Sequence, residues 1–333
     1  MVDSNSLQKI VVFGTGGTIA GQSALRNDNI GYVAAQVSIQ TLSGDIAGLA
    51  AHVLGYELVF EQVAQVDSKD MNEAVWCDLA HRTAHALARP DVQGVVITHG
   101  TDTIEETAYF LHSVISATKP VVLTCAMRPA TSLNSDGPQN MLDALSVVMD
   151  PQANGVGAVV VCAGAVHAAA LVQKIHPYRV DAFSSGEAGP LGWVEEGRVR
   201  WSGLSMPSAR PLWDVSALPI SGVWPQVEIV MNHAGATGAV VQALVQAGVQ
   251  GLVTAGTGNG TLSQPLTDAL LQAMVHGVQV LRSTRCPLGQ VVAAPQMAPD
   301  SSHDKTIPVA QGLSPVKARV ALQLSLMGLP PQV

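Results

Sequence analysis

Short apolar runs rich in β-branched residues alternate with segments of helical spacing along most of the chain, and this alternation restricts the fold more than any other feature. The runs are KIVVF (9–13), YELVF (56–60), GVVITHG (94–100), PVVLTCA (120–126) and GAVVVCAG (157–164). Between them, 71–88 and 103–116 repeat apolar residues at three- and four-residue steps, the period of a helix with one buried face. Uninterrupted apolar strands separated by helices describe an α/β fold, a parallel sheet covered on both faces. A Pro- and Ser-rich passage, SMPSARPLWDVSALP, breaks the pattern. It predicts a linker over 205–220 between a larger amino-terminal domain (1–204) and a smaller α/β carboxyl-terminal one (221–333). Beyond it the alternation resumes with VEIVMNHAG, a helix near 238–246, GLVTAGTGNG, a helix near 264–276, VQVLRSTR and a last helix over about 315–327. No fixed-period repeat or low-complexity tract appears.

Composition narrows the partners. The chain has 333 residues, 47% hydrophobic and 13% charged, enough to bury two cores. A net charge of -8, with only 17 scattered Lys and Arg, argues against a nucleic-acid surface and for a small-molecule partner. No apolar run approaches a membrane span, and the amino end lacks the apolar core of a secretory leader, which points to the cytoplasm. Cys77, Cys125, Cys162 and Cys286 stand far apart in sequence with no CxxC pair. They read as buried, reduced thiols rather than a disulfide frame or a zinc site.

In sheets of this kind ligands gather where loops leave the carboxyl ends of the strands. The first such loop is VVFGTGGTIAGQS (11–23). As a dinucleotide fingerprint starting at Gly14 it fails, because Ile19 stands at the third glycine. As a phosphate loop from Gly16 to Gly21 it also fails, because Gln22 stands where the lysine belongs. What remains is a strand-end turn presenting the hydroxyls of Thr15 and Thr18, compatible with a nucleophile or with threonines that bond their own backbone. A second loop places His99, Gly100, Thr101 and Asp102 between a strand and a Glu-rich helix, where Thr101 or Asp102 also suits a helix cap. A threonine nucleophile needs a base, which directs attention to Lys174, set in the apolar sequence AALVQKIHPYRV. His176 and Arg179 are close enough in sequence to shape its field.

GTGGTIAG, THGTDTIEETAYFL, AMRPATSLNSDGPQN, AGTGNGTL and RSTRCPLG, in that order, closely resemble the bacterial L-asparaginases, amidohydrolases with a threonine nucleophile. The resemblance runs from Lys9 to Leu326. It implies that Thr18 attacks the side-chain amide carbon, assisted by Tyr32 on a mobile lid, and that Thr101, Asp102 and Lys174 form a second catalytic group. It also implies that Ser68 and Asp102 hold the substrate's α-carboxylate and α-amine, and that Asn259 arrives from a neighbouring subunit of a homotetramer. No metal or organic cofactor is implied. The expected course is an acyl ester on threonine, release of ammonia, then hydrolysis, with the backbone N–H of Thr101 and the Ala126 region holding the oxyanion. Which threonine attacks first stays open, as does asparagine against glutamine preference, which turns on one methylene of pocket depth.

Two positions depart from the pattern. Lys69 stands where many relatives have glutamine, and Gln296 where the secreted enzymes have a glutamate that binds the α-ammonium. If both side chains line the pocket, its charge shifts toward positive and specificity shifts toward an amine-blocked or differently charged amide. If Lys69 faces solvent, and Asp300 or another acid replaces the glutamate, specificity is unchanged. A binding protein that has lost turnover is a further alternative, disfavoured because Thr18, Tyr32, Thr101, Asp102 and Lys174 are all present. An ammonia-releasing module of an amidotransferase predicts an added amino-terminal segment, whereas the pattern starts at Lys9. His81 and His85 have Arg82 where a zinc protease has its Glu, so they read as a solvated helix face. His99 is expected to pack and hydrogen-bond rather than to transfer protons.

Overall fold

Val11, Phe13, Val95, Ile97, Val121 and Leu123 point to one face of a sheet, and Ile10, Val12, Val96, Val122, Val159 and Val161 to the other; all are almost wholly buried. This two-sided burial is what turns short apolar runs into central strands. The computed structural model describes residues 7–25, 28–203, 212–219, 223–292 and 307–328. The chain falls into two units that part between Ser221 and Gly222.

In chain order the first unit contains β1 (Gln8–Gly16), α1 (Ile39–Gly44), α2 (Leu49–His52), β2 (Tyr56–Val66), α3 (Glu73–Ala88), β3 (Val92–Thr98), α4 (Ile104–Val114), β4 (Val121–Thr124), α5 (Gly137–Met149), β5 (Ala158–Cys162) and β6 (Ala165–Ala168). The two-residue strands β7 (Gln173–Lys174) and β8 (Phe183–Ser184) form a separate pair, followed by β9 (Gly192–Glu195) and β10 (Arg198–Trp201). One eight-stranded sheet has the order β10-β9-β6-β5-β4-β3-β1-β2. The five apolar runs become β2, β1, β3, β4 and β5, all parallel. At the β5 side the sheet continues antiparallel through β6, β9 and β10. Two hairpins cause that reversal. Ala163 and Gly164 both take positive φ (49° and 74°), as do Glu196 and Gly197 (49° and 72°), the turn that matches the twist of two adjoining strands. α1 and α5 cover one face with the cluster around Met141, Leu145 and Val148. α3 and α4 cover the other, joined by Trp76 stacked on Phe110 with centroids 5.0 Å apart.

Helix starts follow local chemistry. Asn72 Oδ1 accepts from Val75 N–H and caps α3, and Ser38 Oγ accepts from Thr41 N–H and caps α1. Within the expected linker, Leu212 and Trp213 donate backbone N–H groups to Ser113 O at 2.9 and 3.1 Å, and Leu218 is buried. Residues 205–211 and 220 of that segment lie outside the described residues.

The second unit is a three-stranded parallel sheet, β11 (Val227–Met231), β12 (Gly251–Gly256) and β13 (Gln279–Thr284), in that order. α6 (Ala239–Gln246) and α7 (Gln264–Val275) pack with Val230, Leu252 and Val280 on one face; α8 (Pro315–Leu326) packs with Val227 and Val253 on the other. The period-2 alternation of these strands accounts for both layers.

Candidate active site

β1 lies between β2 and β3, so the connections leaving β1 and β3 diverge and open a crevice at the carboxyl ends of these two strands. Both threonine loops start there. Gly16 and Gly17 have φ of 105° and 80°, and a Cβ on Gly17 would lie 2.3 Å from both Cα and N of Gly100. Only glycine allows that approach. Thr18 and Thr101 each follow one of these touching glycines. A Cβ on Gly100 would likewise meet Ser68 Oγ at 2.5 Å, which brings the β2 loop into the same corner.

Thr18 is 6% exposed and its Oγ1 is 2.7 Å from the hydroxyl of Tyr32. Tyr32 belongs to a loop whose ends meet in reciprocal backbone hydrogen bonds between Gln22 and Val33 at 3.0 and 2.9 Å. Asp28 in that loop accepts from the N–H groups of Gly31 and Ile30, and these bonds hold its carboxyl below the usual range. The loop also touches the segment after β4, through Ala130 N–H to Gly21 O and Ser23 N–H to Thr131 Oγ1.

The second cluster gathers around Lys174. Its Nζ donates to Thr101 Oγ1 at 2.8 Å and to Asp102 Oδ1 at 2.6 Å, while its backbone N–H reaches Glu105 Oε1 at 3.4 Å. The Lys174 side chain is 16% exposed. Glu105, in the first turn of α4, thus ties β7 to α4. The residue at the start of α4 is Thr103, not Thr101 or Asp102, and its hydroxyl donates to Ser68 O at 2.7 Å instead of capping the helix. The side chains of Thr101 and Asp102 are thereby available to Lys174. Ser68 is 2% exposed, and its Oγ accepts from Asp102 N–H at 3.1 Å.

Two backbone donors are oriented from behind. His99 Nδ1 lies 2.8 Å from Gly100 O, and its Nε2 lies 2.9 Å from Thr107 Oγ1, which accepts from Trp76 Nε1. A carbonyl only accepts, so Nδ1 carries the proton and Nε2 accepts from Thr107. Burial pushes the His99 pKa down to about 4, so the ring is neutral. Asn140 Nδ2 donates to Cys125 O at 2.9 Å, and Asn140 Oδ1 accepts from Ala163 N–H. In a planar trans peptide N–H and C=O point in opposite directions. Gripping Gly100 O and Cys125 O therefore turns the N–H groups of Thr101 and Ala126 away from His99 and Asn140. The sequence reading had found Ala126 but not Asn140. Its only local signal is a polar side chain at the start of α5, whereas Cys125 and Ala163, which it ties together, come from other segments.

Other expected residues stand elsewhere. Lys69 follows Ser68, but its ammonium pairs with Asp67 and, at 3.5 Å, with Asp70, on a side chain 62% exposed. Those carboxylates, Asp67 first, hold its pKa above the usual range. Asn259, in the second unit, exchanges hydrogen bonds with the backbone of Val292, through Nδ2 at 3.0 Å and Oδ1 at 2.8 Å. Gln296 and Asp300 lie outside the described residues. His176 Nδ1 accepts from the N–H groups of Tyr178 and Arg179, and Arg179 pairs with Asp181 at 2.7 Å, so both serve their own turn rather than Lys174. His85 is exposed as expected. His81 is half-buried rather than fully solvated: its Nε2 is shielded from water and lacks a hydrogen-bond partner, beside a cavity of about 310 Å³ that Val11, Phe13 and Glu61 help to line. Cys286 is exposed, contrary to the expectation of burial.

Comparison with known proteins agrees with this geometry. Residues 9–205 match the model described as Asparaginase, N-terminal, and residues 226–328 the one described as Glutaminase/Asparaginase C-terminal domain. The chain is 39% identical over 329 residues to L-asparaginase 2 of Escherichia coli (strain K12), covering 96% of this chain and 89% of that protein. It is 36% identical over 324 residues to the glutaminase-asparaginase of Pseudomonas fluorescens biotype A, covering 96% and 86%. The structure of the "Probable Cytoplasmic L-asparaginase from Campylobacter jejuni" superposes with a TM-score of 0.85 at 36% identity, covering 96% of this chain and 95% of that one. Two touching glycine–threonine loops, one facing a tyrosine and the other a lysine, on a chain whose residues 9–205 and 226–328 match these models, place it in the asparaginase family of amidohydrolases.

Proposed function

We propose that this chain hydrolyses the side-chain amide of L-asparagine to L-aspartate and ammonia, with L-glutamine as a secondary substrate, through an acyl ester on Thr18. The observation that carries the reading is the contact of Gly17 with Gly100, because it sets two differently equipped threonine hydroxyls around one crevice. Thr18 Oγ1 attacks the amide carbon as its proton passes to the Tyr32 oxygen 2.7 Å away, and the phenol proton of Tyr32 moves on to the amide nitrogen. The N–H groups of Thr101 and Ala126 receive the oxyanion, each contributing on the order of 3 kcal/mol in such sites. Collapse breaks the C–N bond and releases ammonia. Water then cleaves the ester: one of its protons is taken up by the Thr101, Lys174 and Asp102 chain as the new C–O bond forms, and a proton is returned from that chain to Thr18 Oγ1 as the ester bond breaks, restoring its hydroxyl. Lys174 Nζ donates to Thr101, so it must yield a proton before it accepts one, and Asp102 Oδ1 is the acceptor beside it. This favours Thr18 for the first attack, since its partner is a hydroxyl able to accept. Ser68 and Asp102 hold the α-carboxylate and α-ammonium.

The Lys69 ion pairs favour an unaltered demand for the free α-ammonium, since Asp67 and Asp70 occupy the charge that would repel it. The assembly is a homotetramer in which Asn259 completes a neighbouring site, and the cytoplasm is its place of action. Among the described residues no helix is long and apolar enough to cross a membrane.

Mass spectrometry of a Lys174→Met variant quenched during turnover tests the route. An aspartyl adduct on the peptide carrying Thr18, with ammonia release by Thr18→Ala reduced roughly 10³-fold or more, is the expected result. An adduct on Thr101 reverses the assignment of the two threonines.

A further inference from the structure

Three of the four cysteines are buried, and two of these meet. Cys125 follows β4 and Cys162 ends β5, one step beyond the paired residues Thr124 and Val161. Adjacent strands run about 4.8 Å apart, within the roughly 4.4–6.8 Å between Cα atoms that a disulfide bridges. The two Sγ atoms are 2.7 Å apart. Non-bonded carbons, smaller than sulfur, already rest at roughly 3.5–4.0 Å. Neither thiol takes part in the amide chemistry.

We propose that Cys125 and Cys162 form a redox site, which closes to an intrachain disulfide when the chain folds in the presence of a low-molecular-weight disulfide and stays a dithiol where thiols are kept reduced. One protein thiolate attacks the oxidant's S–S bond, making a mixed disulfide and releasing one thiol. The other protein thiolate then attacks the protein sulfur of that mixed disulfide and expels the second thiol. Two S–H bonds become one S–S bond, and the oxidant is reduced to two thiols. Burial, with Cys162 alongside, holds the Cys125 thiol well above its ordinary range in the folded protein. The reaction therefore belongs to folding, before the strands close over the pair. The link joins residues 37 positions apart, so it restricts the unfolded chain and raises stability.

The test uses the full chain with the exposed Cys286 replaced (Cys286→Ser), unfolded and then refolded in oxidised or in reduced glutathione. Thiols are counted under denaturing conditions and linked peptides are mapped by mass. Oxidative refolding is expected to leave Cys77 as the one free thiol, with a peptide joining Cys125 to Cys162. The linked form should melt about 5 °C above the reduced form, and Cys162→Ala should remove that difference. Three free thiols after oxidative refolding, or a link or glutathione adduct on Cys77 instead, overturns the proposal, and so does equal melting of the linked and reduced forms.

Discussion

Thr18 and Thr101 carry the same hydroxyl, and their neighbours separate them: one meets a phenol, the other a donating ammonium. Identity alone leaves their order undecided, because reactivity depends on the partner rather than on the residue type. Lys69 teaches the converse. Its charge reads from sequence as a change of specificity, yet Asp67 and Asp70 flank it in the same short turn. Exposed ion pairs of this kind have small effects. Lys69→Gln is expected to change kcat/KM for asparagine less than about three-fold and to leave N-acetylasparagine unhydrolysed. A tenfold change, measured by ammonia release, means that the ammonium reaches the pocket. His99 makes a prediction in pH. Its folded pKa, about 4, lies below the ordinary value of 6.5, so the unfolded chain takes up a proton first as pH falls. The neutral ring's contribution is complete above pH 6.5 and is lost toward pH 4, on the order of 3 kcal/mol for a fully buried group. Urea midpoints of the wild type should fall across that window, and those of His99→Asn should fall less; parallel curves place the titration elsewhere.

At the scale of elements, the apolar runs and helical spacings located β1 to β5 and the helices near α3, α4, α6, α7 and α8, with ends displaced by a residue or two except in β1 and β2, which run three and six residues past the end of their apolar runs. These signals are local, since burial on one or two faces writes itself into the period of a segment. The antiparallel edge β6, β9 and β10 escaped because its turns use Ala163-Gly164 and Glu196-Gly197 rather than the more recognisable Asn-Gly pairs. α5 escaped because its helical register was masked by the loop-like sequence before Gly137. The glycines allow a direct test. Gly17→Ala forces a Cβ to within 2.3 Å of the Gly100 backbone. It is expected to cost several kcal/mol and nearly all activity, measured by urea unfolding and ammonia release. Gly44→Ala, in α1, meets nothing within 4 Å and has no positive φ, so it should stabilise by about 0.5–1 kcal/mol with activity intact. Equal effects of the two substitutions would remove the loop contact as the organiser of the site.

At the scale of the molecule, Asn259 is satisfied within its own chain, both ends of its amide binding Val292, so a part in a neighbour's site needs a test between chains. If it completes a neighbour's site, Thr18→Ala and Asn259→Ala damage different sites in a mixed assembly. Refolding the two inactive variants together should then restore a substantial fraction, roughly a quarter, of the wild-type rate as intact sites reassemble; mixtures no more active than their parts assign Asn259 to its own chain. What local order in the chain determines is the α/β alternation, the strand-end loops and the residue types suited to an amidohydrolase, because backbone period and side-chain chemistry are properties of neighbouring residues. Pairings between distant segments are decided only by the folded sheet. The meeting of Gly17 with Gly100, of Lys174 with Thr101 and Asp102, and of Cys125 with Cys162 each joins positions far apart in sequence, and each depends on which strands lie side by side. Strand order is set by how helices cover both faces at once, a global packing condition that no single segment encodes.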